Sequence, residues 1–179
     1  SAEKALMFHR QNQDVFNSPC APAIMRYTGV VYEHISWSTL SEKAMDYMEK
    51  YIYIFSGLFG LLTPKTPIPD YKLKMNVLSL QHHWNPVLTD TLNNEDVIID
   101  LLPQVHRKAY TPNKKSVIPV DFLIASKGKK TAAGHFGKAV KGEFIRYMAE
   151  NNVTKTDEFS GFEYEGFKWD GTSFNKEEG

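Results

Sequence analysis

The sequence has little of what marks secreted, zinc-binding or membrane-spanning proteins. Cys20 is the single cysteine among 179 residues, so neither an intrachain disulfide nor a cysteine-rich zinc site can form. No apolar run approaches the roughly 18 residues of a transmembrane helix, because serine and glycine interrupt the longest run, at residues 51–62. These absences favour a globular protein in the reducing cytoplasm.

The motifs of several enzyme classes are missing as well. The six histidines contain no H-E-x-x-H pair, and the adjacent His82 and His83 would diverge by about 100° on a helix. The glycine- and lysine-rich stretch 126–138 lacks the spacing of a phosphate-binding P-loop. Ser56 lacks the preceding glycine of a nucleophile elbow, and we interpret it as a hydroxyl at a helix C-terminus. We therefore predict no metal site, no cofactor and no catalytic residue.

Helix and strand patterns alternate along the chain. Apolar residues recur at three- and four-residue spacing over 44–55, which predicts a helix with one buried face. Residues 97–102 are almost continuously apolar, which predicts a strand buried on both faces of a central sheet, with the 44–55 helix packed on it. A further helix is predicted at 138–151, and Asp170-Gly171 is typical of a hairpin turn. The fold class is therefore predicted to be α/β, a mixed sheet flanked by helices, with a C-terminal hairpin.

Weaker signals complete the assignment. They predict a short helix within residues 1–23, strands at 24–32, 71–80 and 116–125, and a helix at 84–92 that carries a proline in its first turn. A chain of 179 residues is long enough to bury a substantial core in one domain.

The formal net charge is zero, but the charges are unevenly distributed. Residues 103–148 carry ten lysines or arginines and two acids, a net charge of +8, whereas residues 1–102 carry −3 and residues 149–179 carry −5. A concentration of positive charge attracts phosphate groups. The alternative is a lysine-rich surface that contacts only solvent.

Six segments, in order, carry a resemblance to one protein family. Ser56–Pro64 followed by Tyr71–Met75 is similar to the signature "SGLYG-L-RP … YRLEM", Trp84 stands at the tryptophan of "LY-FW", and Lys138–Arg146 is similar to "AKKARG-M-R". The other similar segments are Gly29–Tyr32, Ile99–Lys108 and Phe162–Phe167. On these motifs the chain is identified as a member of the YaaA family of bacterial peroxide stress proteins.

The sequence departs from the family pattern at several polar positions. Val30, Thr63, Lys74, Pro103 and Val105 stand where the family has aspartate, arginine, glutamate, serine and glutamate. Lysine cannot replace a carboxylate base, so we predict that any catalysis of the family is weak or absent here. The opening "ISPAKTL" segment is also missing, and we expect residues 1–179 to form a single domain that is a fragment or shortened form of the family domain.

The resemblance implies a role in the peroxide stress response and a DNA-binding surface. We expect phosphate contacts with double-stranded or structured DNA, which are salt-sensitive and weakly sequence-specific. The candidate nucleic-acid-binding residues are Lys72, Lys108, Lys138, Lys141 and Arg146. One alternative is an enzyme that acts on a nucleotide or base in a cleft near Tyr71 and Trp84. The other is a structural remnant without independent activity.

Overall fold

The structure, a computed structural model, describes residues 2–113, 115, 117–126 and 128–177. The helices are α1 (Ala2–Gln13), α2 (Ala23–Arg26), α3 (Val30–Ile35), α4 (Glu42–Tyr51), α5 (Leu80–Leu92), α6 (Gln104–Arg107) and α7 (Phe136–Glu150). The strands are β1 (Ala21–Pro22), β2 (Ile54–Ser56), β3 (Gly60–Leu62), β4 (Pro67–Ile68), β5 (Ile98–Asp100), β6 (Val117–Pro119), β7 (Phe122–Ser126), β8 (Lys129–Ala132), β9 (Lys168–Trp169) and β10 (Phe174–Glu177). The fold is mixed α/β, as predicted.

Within the described residues, the strands form four small sheets instead of one central sheet. The largest has the order β8-β7-β10-β9, in which β10 runs parallel to β7 and antiparallel to β9. The C-terminal hairpin is confirmed: Trp169 pairs with Phe174, and the Asp170 N–H donates to the Ser173 carbonyl at 3.0 Å. β1 pairs with β4, β2 with β3, and β5 with β6.

The chain divides into two compact units. The first consists of Ser1–Arg26, Ile52–Ile98 and Leu102–Val117, and the second of Tyr27–Tyr51, Ile99–Leu101 and Ile118–Gly179.

The first unit has a core built around α5. Leu88 and Leu92, one helical turn apart, lie on the buried face of this helix and belong to the same apolar cluster as Phe55 and Met75. The Tyr110 ring closes the cluster by an edge-on contact with Phe55, at 5.6 Å between centroids. This cluster fixes the start and the body of α5 on the β2–β3 hairpin.

The second unit has an aromatic core under α7. Phe144, fully buried near the middle of α7, contacts the rings of Phe159, Phe162 and Phe174 at centroid distances of 4.8–5.2 Å. Phe174 in turn stacks on Phe122 at 5.2 Å, which joins the helix to the four-stranded sheet. Both α3 and α4 pack against α7. The predicted 138–151 helix is thus confirmed, two residues longer at its start.

Two predicted strands are wrong. Residues 24–32 form α2 and α3, separated by Gly29 at φ +125°, because the buried Ile35 and the contact of α3 with α7 outweigh the β-propensity of the valines. Residues 71–79 form an irregular segment and turns, in which Leu78 and Ser79 adopt left-handed backbone conformations, and Leu80 begins α5. The alternation of apolar and polar residues is too short here to distinguish a strand from a turn. In the structure, Met75 is the one buried side chain of residues 71–79.

The predicted central strand is also corrected. Only Ile98–Asp100 is extended, it pairs with β6, and the Val97 side chain is 60% exposed. The helix predicted over 44–55 ends at Tyr51 and packs on α7. The strand predicted over 116–125 divides into β6 and β7, and its first residue, Ser116, lies outside the described residues.

Candidate nucleic-acid interface

The glycine-rich turn between β2 and β3 is held by Ser56. This serine, 1% exposed, accepts the N–H groups of Leu58 and Phe59 at 3.2 and 2.8 Å and shares a 2.6 Å hydrogen bond with the Tyr71 hydroxyl. It ends a strand, so the expected position at a helix C-terminus is wrong. Because its oxygen is buried and fully engaged by the turn, Ser56 supports the backbone here and is not presented to a substrate.

Trp84 holds the same turn from another side. Its indole N–H donates to the Gly57 carbonyl at 3.0 Å, and its ring covers Gly60, where an added Cβ would lie 2.7 Å from two ring carbons. Gly57 is equally enclosed, with the Leu73 carbonyl 2.6 Å from an added Cβ. The structure therefore brings the two predicted cleft residues, Tyr71 and Trp84, to one turn, and it uses a polar group of each to fix that turn.

Two of the predicted nucleic-acid contacts, Lys72 and Lys108, lie in the first unit, and both side chains are exposed. The backbone of Lys72 is fixed, because the Asn12 amide of α1 accepts its N–H at 2.8 Å and donates to its carbonyl at 2.9 Å. The backbone of Lys72 is thus anchored to α1, while its side chain is exposed to solvent. Lys108 follows the short helix α6.

The other three predicted contacts lie on α7 in the second unit and differ in their surroundings. Lys138 is exposed in the first turn of the helix. Lys141 is half-buried, and its ammonium group donates to the Leu101 carbonyl. Helical spacing placed the two lysines on one flank, but it could not reveal that a backbone carbonyl would face one of them.

Arg146 connects α7 to the end of α3. Its Nη1 donates to the Ile35 carbonyl at 3.1 Å and to Thr39 Oγ1 at 2.8 Å, and its Nη2 donates to the Thr39 carbonyl at 3.1 Å. A guanidinium group suits this position, because its planar fork reaches several acceptors at once and its charge opposes the negative end of the α3 dipole.

A polar groove next to Arg146 was not predicted from the sequence. It has a volume of about 360 Å³ and contains His34, whose Nδ1 lies 2.9 Å from Glu143 Oε1. Glu143 therefore fixes the orientation of the imidazole through Nδ1. Tyr164 lies edge-on to His34, and burial together with the nearby Glu143 charge raises the pKa of its hydroxyl.

The sequence carries no signal for this pair. His34 and Glu143 are 109 positions apart, and neither belongs to a recognisable motif. Only the packing of α3 on α7 brings them together.

The family of the chain follows from comparison with known proteins. The sequence profile described as "Peroxide stress protein YaaA" matches residues 1–173. The chain belongs to the YaaA family.

Relatives of this YaaA-family chain include UPF0246 protein LBA1843 of Lactobacillus acidophilus, 29% identical over 167 residues, and UPF0246 protein NMA1114 of Neisseria meningitidis, 26% identical over 198 residues. The matches cover 87% and 99% of this chain and 66% and 76% of the relatives. The chain thus spans about two thirds to three quarters of the length of these relatives.

Two features are absent from the residues of this YaaA-family chain that the structure describes. In that part of the chain, no group of three or more histidine, cysteine, aspartate or glutamate side chains is placed to hold a metal ion. No helix of the same residues is both long and apolar enough to cross a membrane. Two residues of the basic segment, Lys114 and Lys127, lie outside the described residues.

Proposed function

We propose that this peroxide stress protein binds double-stranded or structured DNA in the bacterial cytoplasm, mainly through phosphate contacts. The observation that carries the proposal is that its exposed candidate lysines have no carboxylate partner among the described residues. Lys72, Lys108 and Lys138 are exposed, and none of them pairs with a carboxylate among the described residues. Unpaired ammonium groups are available to displace the counterions of DNA.

The five candidate residues have two roles in this proposal. Lys72, Lys108 and Lys138 contact phosphates directly. Lys141 and Arg146 donate hydrogen bonds to backbone carbonyl groups and thereby hold α7, which carries Lys138, in place. Contacts of the first kind contribute affinity that depends on salt, whereas loss of the second kind destabilises the fold.

Fluorescence anisotropy with a labelled DNA duplex, measured at several salt concentrations, tests the proposal. Replacing Lys138 by alanine should weaken binding to all sequences alike and reduce the slope of log affinity against log salt by about 0.9. Lys43→Ala is the matched control, because Lys43 is also exposed on a helix of the same unit but lies outside the basic segment. Absence of binding by the parent protein at low salt would overturn the proposal.

The His34–Glu143 pair supports a second candidate function, a proton-transfer enzyme acting on a nucleotide or base. A histidine that a carboxylate orients can act as a general base, and the groove gives a ligand access to it. This candidate requires turnover that His34→Gln abolishes while the protein remains folded. Turnover that survives this substitution, or that depends instead on Tyr71, would contradict it.

A further inference from the structure

The apolar side chain of Leu78 is exposed to solvent. It is 82% exposed, more than any other large aliphatic side chain in the described part of the chain. Its backbone is left-handed (φ 52°), and so is that of the following Ser79 (φ 58°). A left-handed conformation costs a residue with a Cβ about 1–2 kcal/mol. The exposure of the Leu78 side chain and its left-handed backbone are both unfavourable, and the turn nevertheless presents this apolar tip to solvent.

The residues on either side of the tip are packed into the core of the first unit. Met75 before it is 1% exposed in the core of the first unit, and Leu80 after it packs against the same core. The Leu80 N–H donates to the Val77 carbonyl at 3.0 Å, which closes the turn beneath Leu78. Ser79 is followed directly by α5, 13 residues long. These contacts and this hydrogen bond hold the turn that carries Leu78.

The charged side chains nearest Leu78 in the sequence, Lys72 and Lys74, are positive, and the nearest acids are Asp70 and Asp90. Residues 71–89 contain two lysines and two histidines and no acid. Lys72, Lys74, His82 and His83 are all exposed, and they flank Leu78 on both sides in the sequence. Such a surface is complementary to a polyanion. A single apolar tip is also the element that many DNA-bending proteins insert between base steps, with basic residues holding the adjoining phosphates.

We propose that Leu78 is a wedge that inserts between adjacent bases of duplex DNA, while Lys72 and Lys74 hold the flanking phosphates. This inference rests on the proposed DNA-binding function. It adds a mode of contact in which Leu78 partly unstacks a base step. It favours duplexes that are easy to unstack, such as those with a mismatch or a flexible pyrimidine–purine step.

The experiment uses the full chain and a duplex with 2-aminopurine, whose fluorescence rises when it is unstacked. The parent protein should raise this fluorescence on binding. Leu78→Ala should abolish the rise and weaken binding about tenfold, and it should leave the salt slope unchanged because leucine carries no charge. Lys72→Ala should instead lower the salt slope by about 0.9. Val87→Ala, at an exposed valine on α5, is the matched control and should change neither quantity.

A second substitution separates loss of the wedge from loss of the fold. Leu78→Gly removes the side chain and suits the left-handed backbone, so it should lower DNA affinity while the melting temperature rises or stays unchanged. If Leu78→Gly binds DNA with parental affinity and parental fluorescence, the wedge is overturned while DNA binding stands. If the parent does not bind DNA at low salt, both are overturned. Leu78-dependent binding to anionic vesicles without any 2-aminopurine response would assign the tip to membranes and overturn the wedge.

Discussion

Gly142 of α7 lies directly against His34 of α3. A Cβ built on this glycine would be 2.6 Å from the Cβ of His34, and the Val31 carbonyl would be closer still. The absence of a side chain at Gly142 therefore sets how closely the two helices approach. The same approach brings the His34 ring to Glu143.

Gly142→Ala should destabilise the protein although alanine is the better helix former. The added methyl group meets backbone atoms of α3, which cannot rotate away, and overpacking of this kind costs about 1–3 kcal/mol. Urea denaturation followed by circular dichroism measures this cost. Gly137→Ala on the same helix is the control, because its nearest atom is the Ala133 Cβ at 3.1 Å and a small shift relieves it. Equal stabilities for Gly142→Ala and the parent would contradict the close approach.

The elements that sequence reasoning identified are those with a long repeating pattern. The α7 helix shows its apolar stripe over four turns, and Asp170-Gly171 marks a hairpin by local backbone chemistry alone. The short helix α3 was missed because six residues with two valines resemble a strand locally, and only contact with α7 decides otherwise. Patterns of neighbouring residues do not contain that information.

The candidate site was predictable in its charge but not in its contacts. Counting charges located the basic segment, and Lys138 is exposed as expected. The partners of Lys141 and Arg146 are carbonyl groups at the ends of other elements, which have no signature in the sequence. The same is true of His34 and Glu143, whose contact depends on the packing of two helices.

Arg146→Lys should destabilise the protein despite the conserved charge. A lysine ammonium group cannot replace the bonds of both guanidinium nitrogens to the Ile35 and Thr39 carbonyls, so we expect a loss of about 1–3 kcal/mol in the free energy of unfolding. Chemical denaturation of the variant measures it. Arg10→Lys, at an exposed position in the last turn of α1, should change stability by less than the error of the measurement. A variant as stable as the parent would show that these bonds contribute nothing.

Asp170→Asn should weaken the C-terminal hairpin in a manner that depends on pH. The backbone N–H of Ser173 lowers the pKa of Asp170 most, followed by the Lys130 ammonium group and by Thr172. A depressed pKa in the folded state means that the carboxylate stabilises the fold above its unfolded pKa of 3.8, and that this contribution is lost as the pH falls below that value.

The parent should therefore lose stability on acidification below about pH 4 more steeply than Asp170→Asn does. Melting temperatures measured from neutral to acidic pH test this difference. Asp157→Asn removes an exposed carboxylate elsewhere in the same unit and controls for net charge. Parallel profiles for Asp170→Asn and the parent would show that the hydrogen bonds to Asp170 do not contribute to stability.

The position of Trp84 also provides an optical probe of one unit. The chain has three tryptophans, and Trp84 lies in the first unit, whereas Trp37 and Trp169 lie in the second. Its indole is fixed on the Gly57–Gly60 turn, so its emission should shift to longer wavelength when that turn opens to water. In a variant whose other two tryptophans are replaced by phenylalanine, tryptophan emission reports the first unit alone. Circular dichroism of the same sample reports the helices of both units. If the two signals change at the same denaturant concentration, the two units unfold as one cooperative body. If they change at different concentrations, the units unfold separately.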